Sequence, residues 1–319
     1  SSFKELSAKI ASGLLNDEAY FERIRRAEEA AKKRAHALTR RYGAIDLRDV
    51  PFKKLLKMAF GLRDAFIAYD SSGMHAWYTA GDEFKSRLLA MIPLSEDMLD
   101  VVGFPRIPTH ASRMEYDVLS AAVKGGASDA TMRRLAKKYF WIPFGYEGPT
   151  VWDADYFRNA VRERMADCEK ARADLREIRA RRRRARDERE KIIREHDLDA
   201  RQVRLIGVLR AITQWTDDRK CVDFRIFHQY DRILRELTRR FGVSREELKY
   251  VFTHELPLLE DDKSGLLERA QWRMRNECMV IGYKGAVRIA PQEDFDFVKA
   301  HTHRGENNVE SFSGTVACR

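Results

Sequence analysis

The sequence lacks the features that mark membrane, secreted and zinc-binding proteins. No apolar run approaches the roughly 20 residues needed to span a bilayer, and no secretory signal pattern opens the chain. The four cysteines are scattered and form no Cys-x-x-Cys pair, which argues against a zinc site and fits a reducing compartment. We therefore expect a cytoplasmic protein without a membrane partner or a metal ligand set.

Proline and glycine are also scarce, at 8 and 17 of 319 residues. Both residue types interrupt helices, so their scarcity predicts long uninterrupted helices. The length suffices for about two domains with a sizeable buried core. Hydrophobic residues make up 44% of the chain and charged residues 34%, which indicates a folded protein with a heavily charged surface rather than a disordered one.

The excess of positive charge is concentrated in one segment. The chain carries a formal net charge of +10, and residues 158–195 hold 15 Lys/Arg against 9 Asp/Glu. The run Arg181–Arg184 has the composition of a nucleic-acid contact, but no aromatic residue lies between Phe157 and Trp215 to stack on bases. The run also fits a solvated helix face, so we do not expect nucleic acid as a partner.

Capping residues and apolar spacing predict a mainly α fold with two long helices. Asp153 is positioned to cap a helix that reaches about Glu195, and Asp199 to cap one that reaches about Phe241. The first of these helices carries a thin apolar stripe at near-heptad spacing, which suits a single partner helix; its members are Cys168, Ala171, Leu175, Ile178, Ala185 and Ile192. Because only residues 196–199 separate them, the two helices should form a long antiparallel helical hairpin.

The segments on either side of this hairpin are predicted to be smaller elements. Residues 278–289 alternate apolar and polar side chains around Tyr283-Lys284-Gly285, which predicts a β-hairpin. The predicted parts are an irregular helical bundle over 1–150, the helical hairpin over 151–243, a small α+β appendage over 244–311, and the start of a missing swivelling domain over 312–319.

Four consecutive charged residues on the second long helix are the main candidate site. Asp217-Asp218-Arg219-Lys220 lies between Trp215 and Phe224, with Arg210 and Arg225 in adjacent turns. Arginine and lysine bind anionic acceptors or a transferring phosphoryl group, and a carboxylate orients an acceptor hydroxyl. An interhelical ion-pair network explains the same residues and is the commoner arrangement.

An aromatic loop provides a second candidate site. Residues 139–149 hold five aromatic side chains, Trp141 and Tyr146 among them, between glycines and prolines. Such a loop either walls a pocket for a flat or apolar acceptor or fills the core between neighbouring helices.

Five short motifs follow one another in the C-terminal half: Tyr146-Glu147-Gly148-Pro149, Trp215-Thr216-Asp217-Asp218-Arg219-Lys220, Phe241-Gly242-Val243, Thr253-His254-Glu255-Leu256 and Phe312-Ser313-Gly314-Thr315-Val316-Ala317. In this order they resemble the phosphoenolpyruvate-utilising enzymes: phosphoenolpyruvate synthase, pyruvate phosphate dikinase and the rifampicin phosphotransferases. The resemblance covers residues 130–319 and concerns the helical segment just upstream of the swivelling phosphohistidine domain.

The resemblance implies an enzyme of three parts. An ATP-grasp domain binds ATP with Mg²⁺, a mobile domain carries a phosphorylated histidine, and a third, mostly helical part holds a small-molecule acceptor. The sequence has no glycine-rich phosphate cradle followed by lysine and no glycine-rich Thr/Ser-x-His segment. The chain alone is therefore expected to bind no cofactor, to carry no catalytic residue, and to meet the other two domains in cis or in trans.

Two functions of different classes remain open from the sequence. The first is acceptor binding and scaffolding in an ATP-dependent, dikinase-type phosphotransferase, with the isolated chain inactive. The alternative is a coiled-coil adaptor or RNA-binding protein that uses the basic helical hairpin.

Overall fold

The computed structural model describes residues 3–105, 107–144, 150–276, 278–283 and 286–302. Within these residues the chain is almost entirely helical and contains one two-stranded antiparallel sheet. The mainly α class with a small strand-containing part, predicted from the sequence, is confirmed. The elements are α1 (Phe3–Asn16), α2 (Glu18–Gly43), α3 (Phe52–Tyr69), α4 (His75–Leu89), α5 (Glu96–Gly103), α6 (His110–Val123), α7 (Asp129–Tyr139), α8 (Ala154–Met165), α9 (Cys168–Glu195), α10 (Ala200–Phe241), α11 (Arg245–Lys249), α12 (Leu258–Asp261), α13 (Lys263–Arg275), β1 (Val280–Tyr283), β2 (Ala286–Ile289) and α14 (Gln292–Thr302).

The contacts of the chain group it into two compact units. Unit 1 comprises residues 1–45 and 61–231, and unit 2 comprises residues 46–60 and 232–319. The four-part domain division stays a prediction, and its last part, residues 312–319, lies outside the described residues.

Part of the core of unit 1 lies between α6, α7 and α8. Met132, Tyr139, Phe157 and Val161 are at most 1% exposed and form one cluster. Burying a side chain of this size stabilises the fold by about 1.5–3 kcal/mol relative to leaving it in water. All three helices begin at a capping residue whose side-chain oxygen accepts a backbone N–H. Ser, Thr and Asp commonly take this role.

The long helix predicted to run from Asp153 to Glu195 is wrong as a single rod. It is interrupted after α8, because the Asp167 carboxylate accepts the Lys170 backbone N–H at 2.9 Å and caps a new helix. Asp competes for backbone donors in this way and is therefore favoured at helix starts. The second piece, α9, has 28 residues and is about 42 Å long.

The apolar stripe predicted on this arm is only partly buried. Ala171, Leu175 and Ile178 pack with Leu119 of α6, whereas Ala185, which continues the predicted stripe, is exposed. The first turns of α9 therefore pack on α6, and the stripe does not run the length of the helix.

The short connection between α9 and α10 matches the prediction. Asp197 adopts a left-handed conformation with φ of 46°, which reverses the chain, and the Asp199 carboxylate accepts the Gln202 backbone N–H at 2.8 Å. Both helices contact α5. A Cβ atom on Gly103 of α5 would lie 2.6 Å from a methyl carbon of Leu209 of α10, so a larger residue at this position would force the Leu209 side chain to move.

Unit 2 contains a buried ion pair. Arg273 of α13 donates two hydrogen bonds to Glu255, at 2.6 and 2.7 Å, and a third at 2.8 Å to the Tyr250 carbonyl. Its guanidinium lies 4.1 Å from the centre of the Phe252 ring. Both charged residues are at least nine-tenths buried, and the bidentate geometry is the strongest that this pair of groups forms.

The predicted β-hairpin is present in unit 2. Strands β1 and β2 pair antiparallel, with Val280 opposite Ile289 and Tyr283 opposite Ala286. The two intervening residues, Lys284 and Gly285, lie outside the described part of the chain.

Candidate functional site

Two carboxylates of α10 meet a histidine and a lysine from other helices of unit 1. His110 Nε2 lies 3.3 Å from Asp218 Oδ1 and 3.9 Å from Asp217 Oδ2. Lys32 of α2 forms an ion pair with Asp218 Oδ2. We call Lys32, His110, Asp217 and Asp218 the acid–histidine cluster. Their side chains are between 14% and 29% exposed, so the cluster is largely desolvated yet reachable from solvent.

The start of α6 explains how His110 comes to face α10. The Thr109 hydroxyl accepts the Ser112 backbone N–H at 3.2 Å and so caps the helix. The first N–H groups of a helix have no partner within it, and the N–H of His110 donates instead to Asp217 Oδ2 at 2.9 Å. The positive end of the helix dipole also favours a carboxylate at this point.

The cluster holds one carboxylate firmly ionised. Burial of Asp218 opposes its ionisation, but the hydrogen bond with His110 and the charge of Lys32 outweigh burial and lower the pKa of Asp218 to about 2. Gln214, one turn earlier on α10, donates to Asp218 Oδ1 at 3.4 Å. The site therefore presents a fixed negative charge beside an imidazole at neutral pH.

Burial shifts the pKa of two neighbouring groups on α2 towards the neutral form. Burial, followed by the charges of Arg225, Lys32 and Arg40, lowers the pKa of His36 to about 4. Burial raises the pKa of Glu28, against the attraction of Lys32. His36 is therefore uncharged at neutral pH, and Lys32 is the cation of α2 that pairs with Asp218.

Trp141 from the aromatic loop lies against this cluster. Its ring meets His110 edge-on with centroids 5.0 Å apart, and its Nε1 donates to the Lys138 carbonyl at 3.0 Å. Trp141 is only 3% exposed and packs with Phe144 and Phe224. It therefore fills the core, which is the second of the two roles that the sequence left open for this loop. Tyr146, the other loop candidate, lies outside the described residues.

Arg225 joins the same neighbourhood from α10. It donates to the Lys138 carbonyl at 2.8 Å, and its guanidinium lies 5.3 Å from the Phe140 ring centre and 5.9 Å from that of Trp141. The structure thus brings together Asp217, Asp218, Arg225 and Trp141 from the predicted site.

Arg210 and Trp215 lie apart from the cluster. Arg210 Nε donates to the Val102 carbonyl at 2.6 Å, at the end of α5. Trp215 is 5% exposed and stacks on Phe21 with centroids 6.2 Å apart. Their contacts are therefore those of helix packing.

Arg219 and Lys220 also point away from the cluster, because successive residues of a helix are turned by about 100°. Arg219 Nε lies 4.0 Å from Asp223 Oδ2, and Lys220 is exposed. Burial raises the pKa of Asp223 to about 7, although the charge of Arg219 opposes this and Asp70 adds to it. The four consecutive charged residues thus contact at least two different groups of residues.

His110 and Lys32 are members of the cluster that sequence reasoning missed. The Pro108-Thr109 pair before His110 is a recognisable helix start, and it is the local signal that would have drawn attention to this histidine. Lys32 lies 186 positions from Asp218, and no local pattern predicts their contact.

The cluster contains ligand types suited to a cation. One atom each from His110, Asp217 and Asp218 lies within 4.8 Å of the others, and imidazole with carboxylates suits first-row divalent ions. Lys32 already neutralises one carboxylate, so the set is as well explained by an ion-pair network.

Two clefts of unit 1 lie elsewhere. A cleft of about 360 Å³ is lined by Lys85, Phe104 and Leu209 among others. A smaller one of about 220 Å³ includes Tyr20 and Ser72. Neither includes a member of the acid–histidine cluster, so an acceptor at the cluster would bind over its partly exposed surface.

Replacing Asp218 with asparagine should reduce stability at neutral pH and flatten its acid dependence. A carboxylate whose pKa is depressed on folding stabilises the fold above its unfolded pKa of about 3.9 and loses this contribution as pH falls towards 2. A depression of this size corresponds to about 2.5 kcal/mol. Urea unfolding at several pH values measures the effect, with the exposed Glu188→Gln as control. Identical acid profiles for Asp218→Asn and the unmodified chain would contradict the assignment.

None of the helices among the described residues is long and apolar enough to cross a membrane. The resemblance to phosphoenolpyruvate-utilising enzymes stays a prediction, since comparisons with family models, curated proteins and solved structures give no match to this chain.

Proposed function

We propose that this chain is the acceptor-binding and scaffolding part of a phosphotransferase whose phosphohistidine is carried on another domain. The observation that carries the proposal is the acid–histidine cluster: an imidazole hydrogen-bonded to an ionised carboxylate, beside a lysine and an arginine. Transfer to a hydroxyl needs a base for its proton and cations for the phosphoryl oxygens. His110 and Asp218 of the cluster supply the base, and Lys32 supplies a cation together with Arg225, which lies against Trp141 beside the cluster.

Three members of the cluster, together with Arg225, have roles in this scheme. The acceptor oxygen attacks phosphorus, and the phosphorus–nitrogen bond of the donor histidine breaks with its electron pair returning to the imidazole nitrogen. The proton that the acceptor loses, from a hydroxyl or, for pyruvate, from the methyl group of its enolising carbon, passes to His110. Asp218 stabilises the imidazolium that forms, as a buried carboxylate does in other His-based proton transfers. Lys32 and Arg225 add positive charge near the incoming phosphoryl group.

ATP and Mg²⁺ belong to the partner domain in this proposal. The sequence motifs of the C-terminal half favour this arrangement over an independent kinase, because they resemble the segment that precedes a swivelling domain. The coiled-coil alternative has less support, since the first apolar turns of α9 already pack on α6 within unit 1.

The division of labour is tested with the chain and with donor domains supplied in trans. Incubated with labelled ATP, Mg²⁺ and either pyruvate or rifampicin, the chain alone should produce no phosphorylated acceptor. Addition of the ATP-grasp and phosphohistidine domains of a phosphoenolpyruvate synthase or rifampicin phosphotransferase should give acceptor-dependent label transfer.

Turnover by the chain alone would contradict the proposal. So would equal label transfer by the donor domains with and without the chain. Calorimetric titration of the chain with each acceptor separates a failure to bind from a failure of the donor domains to dock.

A further inference from the structure

The middle of α9 is uncovered over its whole circumference. Residues 181–188 are all exposed, whereas Ile178 before them and Arg189 after them are buried. Because a helix turns once in 3.6 residues, eight consecutive exposed positions leave every face of these two turns largely open to solvent, although Arg182 reaches the Tyr116 ring of α6. A helix section left bare between two packed ends is a surface available to a partner.

The stretch that overlaps the start of this section is strongly basic. Residues 179–186 contain six arginines and no acidic residue within about 12 Å of helix axis, whereas the exposed section itself ends in Asp187 and Glu188. Acidic residues lie on both sides of it, with Glu177 before and Asp187, Glu188 and Glu190 after. We call the arginines of residues 179–186 the arginine collar. Its positive charge is dense but confined to a short length.

Part of the collar is held in place by neighbours. Arg179 donates to the Tyr116 hydroxyl at 2.9 Å, and Arg182 lies 5.2 Å from the centre of the same ring. Arg184 pairs with Glu177 at 2.5 Å, with both side chains more than 60% exposed, which makes this a weak pair that exchanges readily.

Arg181 and Arg183 are the uncommitted members of the collar. Neither forms an ion pair with any residue that the structure describes, and both side chains are exposed. Guanidinium groups in this state bind carboxylates in a bidentate manner, so these two residues are the natural contacts for an anionic partner.

We propose that the arginine collar docks an acidic segment of a protein partner. The confined length of the collar favours this partner over nucleic acid. A duplex carries a negative charge about every 1.7 Å along its axis, so one passing the collar would also meet the flanking acidic residues. Single strands would find no aromatic side chain on α9 to stack against. A cluster of Asp and Glu side chains matches the short collar and is compatible with acids beyond it.

Fluorescence anisotropy of a labelled peptide of about ten glutamates, at about 0.15 M salt, measures the interaction directly. Charge reversal by Arg181→Glu with Arg183→Glu should weaken binding about tenfold. The matched control is Arg172→Glu with Arg176→Glu, which makes the same change in net charge on exposed positions of the same helix. This control should change the affinity by less than about twofold.

Three results would overturn the proposal. These are no binding of the peptide, equal weakening by the two double variants, or preferential binding of a duplex DNA of matched charge in competition. Circular dichroism confirms that both variants keep their helices. If the reversed variant loses helix, Arg181→Gln with Arg183→Gln replaces it and should weaken binding about threefold. The proposal does not depend on the phosphotransferase function, because none of its residues belongs to the acid–histidine cluster.

Discussion

Replacing Arg273 with methionine is expected to lower the free energy of unfolding by about 3 kcal/mol. The change leaves the Glu255 carboxylate buried without its bidentate partner and leaves the Tyr250 carbonyl without its donor. Removing one member of a buried ion pair costs about 3–5 kcal/mol. The lower end applies here because Arg269, whose Nε lies 3.8 Å from Glu255 Oε1, still offers some charge.

Urea unfolding monitored by circular dichroism tests this expectation. The control is Arg275→Met, an exposed residue of the same helix, which should cost less than about 0.5 kcal/mol. Burial opposes the ionisation of Glu255, but the hydrogen bonds from Arg273 outweigh it and lower the pKa of Glu255. The contribution of the pair is therefore present at neutral pH and disappears in acid. An unchanged unfolding midpoint in Arg273→Met would contradict this account of the pair.

The parts of the fold that the sequence predicted well are those set by local chemistry. Helix starts at Asp153 and Asp199 follow from a side-chain oxygen that accepts a backbone N–H three residues later. The β-hairpin follows in the same way from alternation around a short turn. These signals depend on neighbouring residues alone, so the sequence is enough to predict the elements that they mark.

The break at Asp167 was missed although its signal is local. Asp167 has the same capping chemistry as Asp153, but the charged helix-forming residues around it favoured an uninterrupted helix. The interruption of the apolar stripe after Ile178 has a different cause. Which turns of α9 become buried depends on the position of α6, and this is set by tertiary packing that periodicity does not report.

The candidate site was only partly predicted, because part of it depends on tertiary packing. Asp217 and Asp218 are adjacent in the sequence, but their partners come from α2 and α6. Asp218 is 108 positions from His110 and 186 from Lys32. Four consecutive charged side chains on one helix also cannot all face the same partner, because successive side chains are rotated by about 100° around the helix axis. Arg219 and Lys220 therefore separate from the two aspartates.

In the assembled enzyme, replacing His110 with glutamine is expected to lower the rate of phosphoryl transfer about 100-fold, the usual contribution of a general base. This prediction depends on the proposed function. Glutamine keeps a polar side chain of similar length, so the start of α6 and the packing of Trp141 should persist. Acceptor affinity should then change by less than about twofold, because only the proton transfer is lost.

Label transfer to the acceptor, measured against pH, separates catalysis from structure. Loss of a general base removes the acid limb of a pH–rate profile, so His110→Gln should have a low rate and should lack the acid limb that the unmodified enzyme shows. The exposed His254→Gln of unit 2 is the matched control and should retain both the rate and the pH profile. Transfer by His110→Gln within about threefold of the unmodified rate would exclude His110 as the base, since a group that takes the proton in the transition state contributes at least about 100-fold.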